Sequence, residues 1–190
     1  MKVKLTIISS TILIILLFGA CSSLPLPGSP TESLFVITGE VTRDLGMDRN
    51  GNGHTTNSVT IKIVNQETGK QKSLVFSPRH DYTSIPLEPG RYAFDPKAIL
   101  SISYKKGRGE SQIREEYFNA APFLIEPSTV FISPVIIKLS PRNGWYSFST
   151  YKSFSTSNTI RKKAVAQVVS EKRFKAWELY QMIGWELEEE

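Results

Sequence analysis

Hydrophobic and polar residues alternate with a period of two over much of the middle of the chain, which is the pattern of half-buried β-strands. The alternation is clearest over residues 58–64, 72–76 and 100–105. Glycine and proline separate these short segments at a spacing typical of sandwiches and barrels. Residues 34–157 are therefore predicted to form a mainly β domain, an antiparallel β-sandwich.

The hydrophobic period changes near the C-terminus, where apolar residues over 165–183 recur at helical spacing. Residues 158–190 are therefore predicted to form a C-terminal helix and an acidic tail. Thr159 is suited to cap a long helix, but a shorter helix beginning at Glu171 fits as well, with residues 160–169 as a last strand. An isolated helix of this length is marginal in water, so its apolar face is expected to pack on the sandwich.

The N-terminus has the layout of a secretory signal. Two lysines precede an apolar run over residues 5–20, which is shorter than the roughly 20 residues that span a bilayer. A transmembrane anchor is the alternative interpretation of this run. Residues 17–21, Leu-Phe-Gly-Ala-Cys, contain the only cysteine, Cys21, and resemble a bacterial lipobox. Phe18 departs from the lipobox pattern, which usually has leucine or another aliphatic residue at this position.

The lipobox resemblance implies that residues 1–20 are a signal peptide and that Cys21 carries acyl chains such as palmitate. Two or more chains, at about 0.8 kcal/mol per buried CH₂ group, give stable anchoring in a bilayer. The serine at position 22, directly after the cysteine, resembles the sequence pattern of lipoproteins that are released to the outer membrane. The resemblance thus implies a lipid-anchored protein of the bacterial cell envelope, at the outer membrane. Residues 21–33, rich in proline and serine, are predicted to be an extended tether.

Composition and charge exclude several classes of function. The chain has 23 basic and 18 acidic residues, and the two lysines of the signal account for part of the excess. This modest positive charge does not support nucleic-acid binding. Once Cys21 is acylated, no thiol remains for a disulfide, a zinc site or a cysteine nucleophile. No cofactor is predicted.

Three segments resemble the prealbumin-like, carboxypeptidase-regulatory-type β-sandwich modules. They are 37–41 with its Gly-x-Val pattern, 59–68, and 85–94 with the sequence Pro-Gly-Arg-Tyr near its end. The resemblance covers about residues 34–105. It implies a structural or binding unit and supplies no catalytic residues.

A polar loop before the second clear strand has the spacing of the start of a calcium loop. Asp48, Asn50 and Asn52 occupy the first, third and fifth positions, and Gly53 occupies the sixth. The twelfth position, where a glutamate normally supplies two ligand oxygens, is Val59. A glycine-rich connection between strands is the favoured interpretation, so no metal site is predicted.

Two further groups of residues are candidate binding surfaces, one aromatic and one basic. They are Trp145, Tyr146, Phe148 and Tyr151 in the first group, and Arg161, Lys162 and Lys163 in the second. Exposed aromatic rings stack on sugars or anchor a protein partner, whereas buried rings would belong to the core. The basic triplet would bind an anionic group such as a lipid headgroup, or would be a solvated helix face.

These observations predict a non-catalytic binding or structural module of the envelope rather than an enzyme. Its expected partners are membrane lipid, through the acyl chains, and an envelope protein or glycan. The alternative is an envelope enzyme, or a lipid- or glycan-processing protein, with a site assembled from residues far apart in sequence. His80 and Asp81 would belong to such a site, but adjacent strand residues point to opposite faces of a sheet.

Overall fold

Two β-sheets pack face to face in the computed structural model, which describes residues 24–47, 53–105, 110–142, 145–152 and 155–183. A helix near the C-terminus covers the outer face of one sheet. The predicted mainly β, sandwich-like fold with a C-terminal helix is therefore confirmed. The resemblance to prealbumin-like modules stays a prediction.

The strands of the described residues form two sheets, A and B. In chain order they are β1 (Ser33–Val41), β2 (Asp44–Met47), β3 (Gly53–Asn65), β4 (Gln71–Phe76), β5 (Tyr82–Leu87), β6 (Gly90–Phe94), β7 (Lys97–Lys105), β8 (Glu110–Tyr117), β9 (Phe123–Ile125), β10 (Thr129–Arg142), β11 (Trp145–Lys152) and β12 (Gln181–Ile183). The helix α1 (Ser155–Ser170) and a 3₁₀ helix (Lys172–Trp177) lie between β11 and β12. Sheet A has the order β5-β1-β10-β11, and β12 pairs with the start of β10. Sheet B has the order β8-β7-β3-β6-β9, and β2 and β4 also pair with β3.

The central pair of sheet A, β1 and β10, is parallel, with Leu34 opposite Val130 and Val41 opposite Leu139. β12 is also parallel to β10, whereas the other described pairings are antiparallel. Neighbouring parallel strands need a long connection, and here the connection contains all of sheet B together with β5. As a result β1, β10 and β12 all begin at one end of sheet A, which we call the starting end.

β1 is buried on both faces because it lies between two separate apolar clusters. Phe35 and Ile37 belong to the cluster between the sheets, together with residues of β3 such as Ile61. Leu34 and Val36 belong to the cluster beneath α1 and the 3₁₀ helix. A strand covered on both faces has a continuous apolar run instead of alternation, which explains the unbroken apolar start of β1.

The C-terminal helix differs from the prediction at both of its ends. It begins at Ser155, ahead of Thr159, and it ends at Ser170. Residues 160–169 are therefore helical and do not form a last strand. A 3₁₀ helix stands where the shorter α-helix was expected to begin at Glu171.

Local hydrogen bonds and a strand pairing explain why the helix stops. Ser170 Oγ donates to the carbonyl of Gln167 at 2.8 Å, and the N–H of Glu171 donates to the carbonyl of Val168 at 3.2 Å. This second bond is of the 3₁₀ type, which commonly ends an α-helix. Residues 181–183 then pair with β10, so tertiary pairing overrides the helical periodicity of the sequence.

Gly39 in β1 is required because the two sheets approach closely there. A Cβ atom at this position would lie 2.6 Å from the ring of Phe76 and 3.3 Å from the carbonyl oxygen of Ile137. The Phe76 ring is fully buried in β4 and has little room to move away. The glycine of the Gly-x-Val pattern in β1 thus makes space for a ring of the opposite sheet.

We expect Gly39→Ala to lower the free energy of unfolding by about 1–3 kcal/mol, the usual cost of overpacking a core. The double variant Gly39→Ala/Phe76→Leu should lose less than the sum of its two single changes, because the smaller side chain leaves room for the new methyl group. Urea unfolding of the four proteins measures this coupling. Strictly additive losses would contradict a clash between these two residues.

We expect Trp177→Ala to lower the free energy of unfolding by about 3–5 kcal/mol, because the indole is fully buried beneath the outer face of sheet A. The matched control is Leu179→Ala in the same segment, where the side chain is 99% exposed. A surface change of this kind should stay within about 0.5 kcal/mol of the wild-type value. Urea midpoints that are equal for Trp177→Ala and wild type would mean that this segment does not stabilise the domain.

Candidate functional site

The described part of the predicted tether, from residue 24 onward, is docked on the C-terminal segment instead of extending freely. Leu24 is only 1% exposed and packs in the cluster that contains Trp177. Trp177 Nε1 donates to the carbonyl of Pro25 at 2.8 Å, and Arg173 Nη1 lies 3.5 Å from the carbonyl of Leu24. Prolines cannot donate hydrogen bonds, but their carbonyls still accept, and here the indole satisfies one. The described part of the segment predicted to be an extended tether is therefore packed against the domain.

A second contact ties the same N-terminal segment to the loop before β10. Ser128 Oγ donates to the carbonyl of Pro30 at 2.7 Å, and the N–H of Ser128 donates to the carbonyl of Thr31 at 3.3 Å. The carbonyl of Ser128 accepts from the N–H of Gln181 at 3.2 Å. Ser128 has a φ of 56°, a strained conformation for a residue with a side chain. These three bonds hold it there, at the starting end of sheet A.

Three exposed apolar side chains border this docked segment, and we call them the Leu179 patch. Leu26 is 58% exposed, Leu179 is 99% exposed and Met182 is 37% exposed. Each lies within two residues of a hydrogen-bonded position described above, namely Pro25, Trp177 or Gln181. Leu179 lies in a turn that the N–H of Tyr180 closes on the carbonyl of Trp177 at 3.0 Å. The patch thus lies where the N-terminal and C-terminal segments meet.

Asp81 and Tyr82, at the start of β5, hold α1 and its end against sheet A. Asp81 Oδ2 accepts from Lys163 Nζ and from Gln167 Nε2, both at 2.8 Å. The hydrogen bond and the charge of Asp81 raise the pKa of Lys163 above its ordinary value. Tyr82 Oη donates to Glu171 Oε1 at 2.9 Å, and burial, aided by Glu171, raises the pKa of this phenol. Asp81 thus has a structural role at the α1 contact.

The basic triplet does not form one binding surface. Arg161 is 6% exposed, and burial lowers the pKa of its guanidinium. Lys162 is exposed, whereas Lys163 is engaged with Asp81. Consecutive residues of a helix point about 100° apart, so three in a row cannot share one direction. The triplet also lies beyond the first turn of α1, where the charge of the helix end is already weak.

The aromatic group and the calcium-like loop fall largely outside what the structure describes. Trp145, Tyr146, Phe148 and Tyr151 lie on β11, which pairs with β10, but their side chains are outside the described part of the chain. Asp48, Asn50 and Asn52 lie outside the described residues, as does Cys21. Their roles stay predictions. Among the described residues, no group of three or more His, Cys, Asp or Glu side chains could hold a metal ion.

A shallow polar depression of about 100 Å³ lies between the β3–β4 turn, the β5–β6 connection and the N-terminal segment, and sequence reasoning missed it. It is lined by Glu32, Asn65, Thr68, Lys70, Lys72, Glu88 and Tyr92. Lys72 Nζ donates to the carbonyl of Pro86 at 2.6 Å, and Tyr92 Oη donates to the carbonyl of Glu88 at 2.9 Å. Asn65 Oδ1 accepts from the backbone of the β3–β4 turn. These polar groups hold the turns together. The two neighbouring turn motifs in the sequence were the signal that could have indicated these contacts.

Comparison with known proteins gives no family for this chain. No family model and no curated protein matches it. One solved structure, a leucine-rich repeat protein from Bacteroides thetaiotaomicron, aligns at 8% identity with a TM-score of 0.29. The alignment covers 60% of this chain and only 14% of that structure, and a likeness at this level supports no statement about fold or function. No helix among the described residues is long and apolar enough to cross a bilayer.

We expect Asp81→Ala to lower the free energy of unfolding by about 1–2 kcal/mol, since it leaves two partners on α1 without their acceptor. The same change should bring the pKa of Lys163 back toward its ordinary value. Glu88→Ala is the matched control, because its pair with Lys70 spans 3.8 Å between two largely exposed side chains. An exposed pair of this kind contributes about 0–1 kcal/mol. Equal losses of unfolding free energy for the two variants in urea would argue against a role for Asp81 in holding α1 against sheet A.

Proposed function

We propose that this chain is a lipoprotein of the bacterial cell envelope, anchored by acyl chains on Cys21 and sorted to the outer membrane. Its β-sandwich serves as a non-catalytic binding or structural module. The lipobox-like segment 17–21 and the serine at position 22 support the anchor and its location.

The position of Leu24 is the observation that carries the proposal. The folded domain reaches to within three residues of Cys21, and Leu24 is buried beneath the 3₁₀ helix. An acylated cysteine at this distance would join the domain to the membrane through a short, firmly attached segment. That arrangement suits a module that presents a surface at a fixed height and orientation.

The contacts of the polar candidates support a module without catalysis. Asp81, the carboxylate considered for a catalytic pair with His80, accepts from two side chains of α1. The lysines of the polar depression are engaged with Pro86 and Glu88 of the neighbouring turn. These groups stabilise turns and the helix contact.

Sheet B offers the surface for an envelope protein or glycan partner. α1 and the 3₁₀ helix pack on sheet A, whereas the strands of sheet B carry exposed apolar side chains. They are Val75 on β4, Ile113 and Tyr117 on β8, and Leu124 on β9. Apolar side chains left exposed on a strand are suited to contact a partner.

We expect Cys21→Ala to abolish acylation and to leave an uncleaved precursor, because the thiol that receives the lipid is gone. Growing cells with a clickable fatty acid and comparing the label on the two proteins measures this. Ser22→Ala is the matched control and should keep the label, since it leaves the thiol in place. Equal labelling of wild type and Cys21→Ala would overturn the anchor.

A further inference from the structure

The chain between Cys21 and the folded domain limits how far the domain can stand from a membrane. Only Ser22 and Ser23 separate Cys21 from Leu24. Three fully extended steps between consecutive Cα atoms span about 11 Å. Leu24 is buried and moves with the domain, so this short link is the whole spacer.

We propose that the surface around the Leu179 patch rests on the lipid bilayer, with Leu26, Leu179 and Met182 in the boundary between headgroups and acyl chains. This inference depends on the acylation of Cys21 proposed above. An acylated cysteine lies at that boundary, and the short link brings Leu24 close to it. The patch borders the docked segment that begins at Leu24, so it lies on the side of the domain where the short link to the anchor starts.

The exposure of the patch residues fits a lipid occupant. Leu179 is 99% exposed at the tip of a turn, and Leu26 is 58% exposed one residue after Pro25. Helices that lie in the interface bury their apolar faces about 5–10 Å into the boundary of headgroups and acyl chains, so a turn resting on the surface needs only a shallow insertion to place its apolar side chains there. Transfer of their apolar area out of water is favourable in proportion to that area.

Charged residues beside the patch suit a headgroup layer. Lys172, Arg173 and Lys175 are exposed on the 3₁₀ helix that precedes Leu179, and Glu178 is the exposed carboxylate among them. Cations near a bilayer surface are attracted to acidic phospholipids, and long basic side chains extend along apolar area while their charges stay in water. The short link from Cys21 to Leu24 and the exposed apolar side chains are the main support for lipid as the occupant. The basic side chains add to that support.

The test places a fluorophore on the patch of the full-length acylated protein. Cys21 is the only cysteine and its thiol is acylated, so Leu179→Cys provides a unique site for an environment-sensitive dye. The labelled protein is reconstituted into vesicles of phosphatidylethanolamine and phosphatidylglycerol, with or without a lipid that carries a spin label in its upper acyl chain. Val75→Cys, on β4 of sheet B, is the matched control at an exposed apolar position. Met182→Cys is a second patch site.

We expect the dye at residues 179 and 182 to shift to the blue and to lose most of its fluorescence with the spin-labelled lipid, while the dye at residue 75 stays unaffected. If the protein floats with the vesicles and has the acyl mass, but the patch dye stays as exposed to water as the control dye, the proposed membrane contact is overturned. The proposed lipid anchor is then unaffected. A patch dye that is shielded but not quenched would assign the patch to a protein occupant and would also overturn the membrane contact. If the protein lacks the acyl mass and fails to float with the vesicles, the proposed anchor is overturned. This inference, which depends on the anchor, is then overturned as well.

Discussion

The burial of Trp177 is the interaction on which the outer half of this structure depends. Its indole joins the 3₁₀ helix, sheet A and the N-terminal segment in one cluster, and its N–H bonds the carbonyl of Pro25. An indole buried with its N–H satisfied contributes its full apolar area without an unpaired donor. Both ends of the described chain are thereby held at the same place on sheet A.

β1 connects this outer cluster to the core between the sheets. Its alternate residues enter the two clusters, and its parallel pairing with β10 aligns the starts of both strands at one end. β12 begins at that end as well, and Ser128 links it to the N-terminal segment. A disturbance of β1 is therefore expected to loosen both layers, because its residues belong to both clusters, as do those of its parallel neighbour β10.

The predictable parts of the fold are those in which local pattern and burial agree. β3 alternates because one face is buried, and the sandwich follows from several such strands with glycine and proline between them. The helical period was misleading only beyond the end of α1, over 171–183, because Trp177 and Met182 are placed by contacts with sheet A, which is distant in sequence. The prolines of the N-terminal segment indicated an extended chain, but the donors that bind their carbonyls come from Ser128 and Trp177.

The docking of Leu24 changes what the proposed lipid anchor would do. A flexible tether would let the domain rotate freely and would average the height of every surface above the membrane. A link of three residues joined to a buried leucine allows few orientations, and the Leu179 patch then adds a second point of attachment. Two points of attachment restrict the domain far more than one, so sheet B would keep a defined direction away from the bilayer. The fold would then decide which surface meets a partner in the envelope, because the same contacts that bury Trp177 also orient the domain.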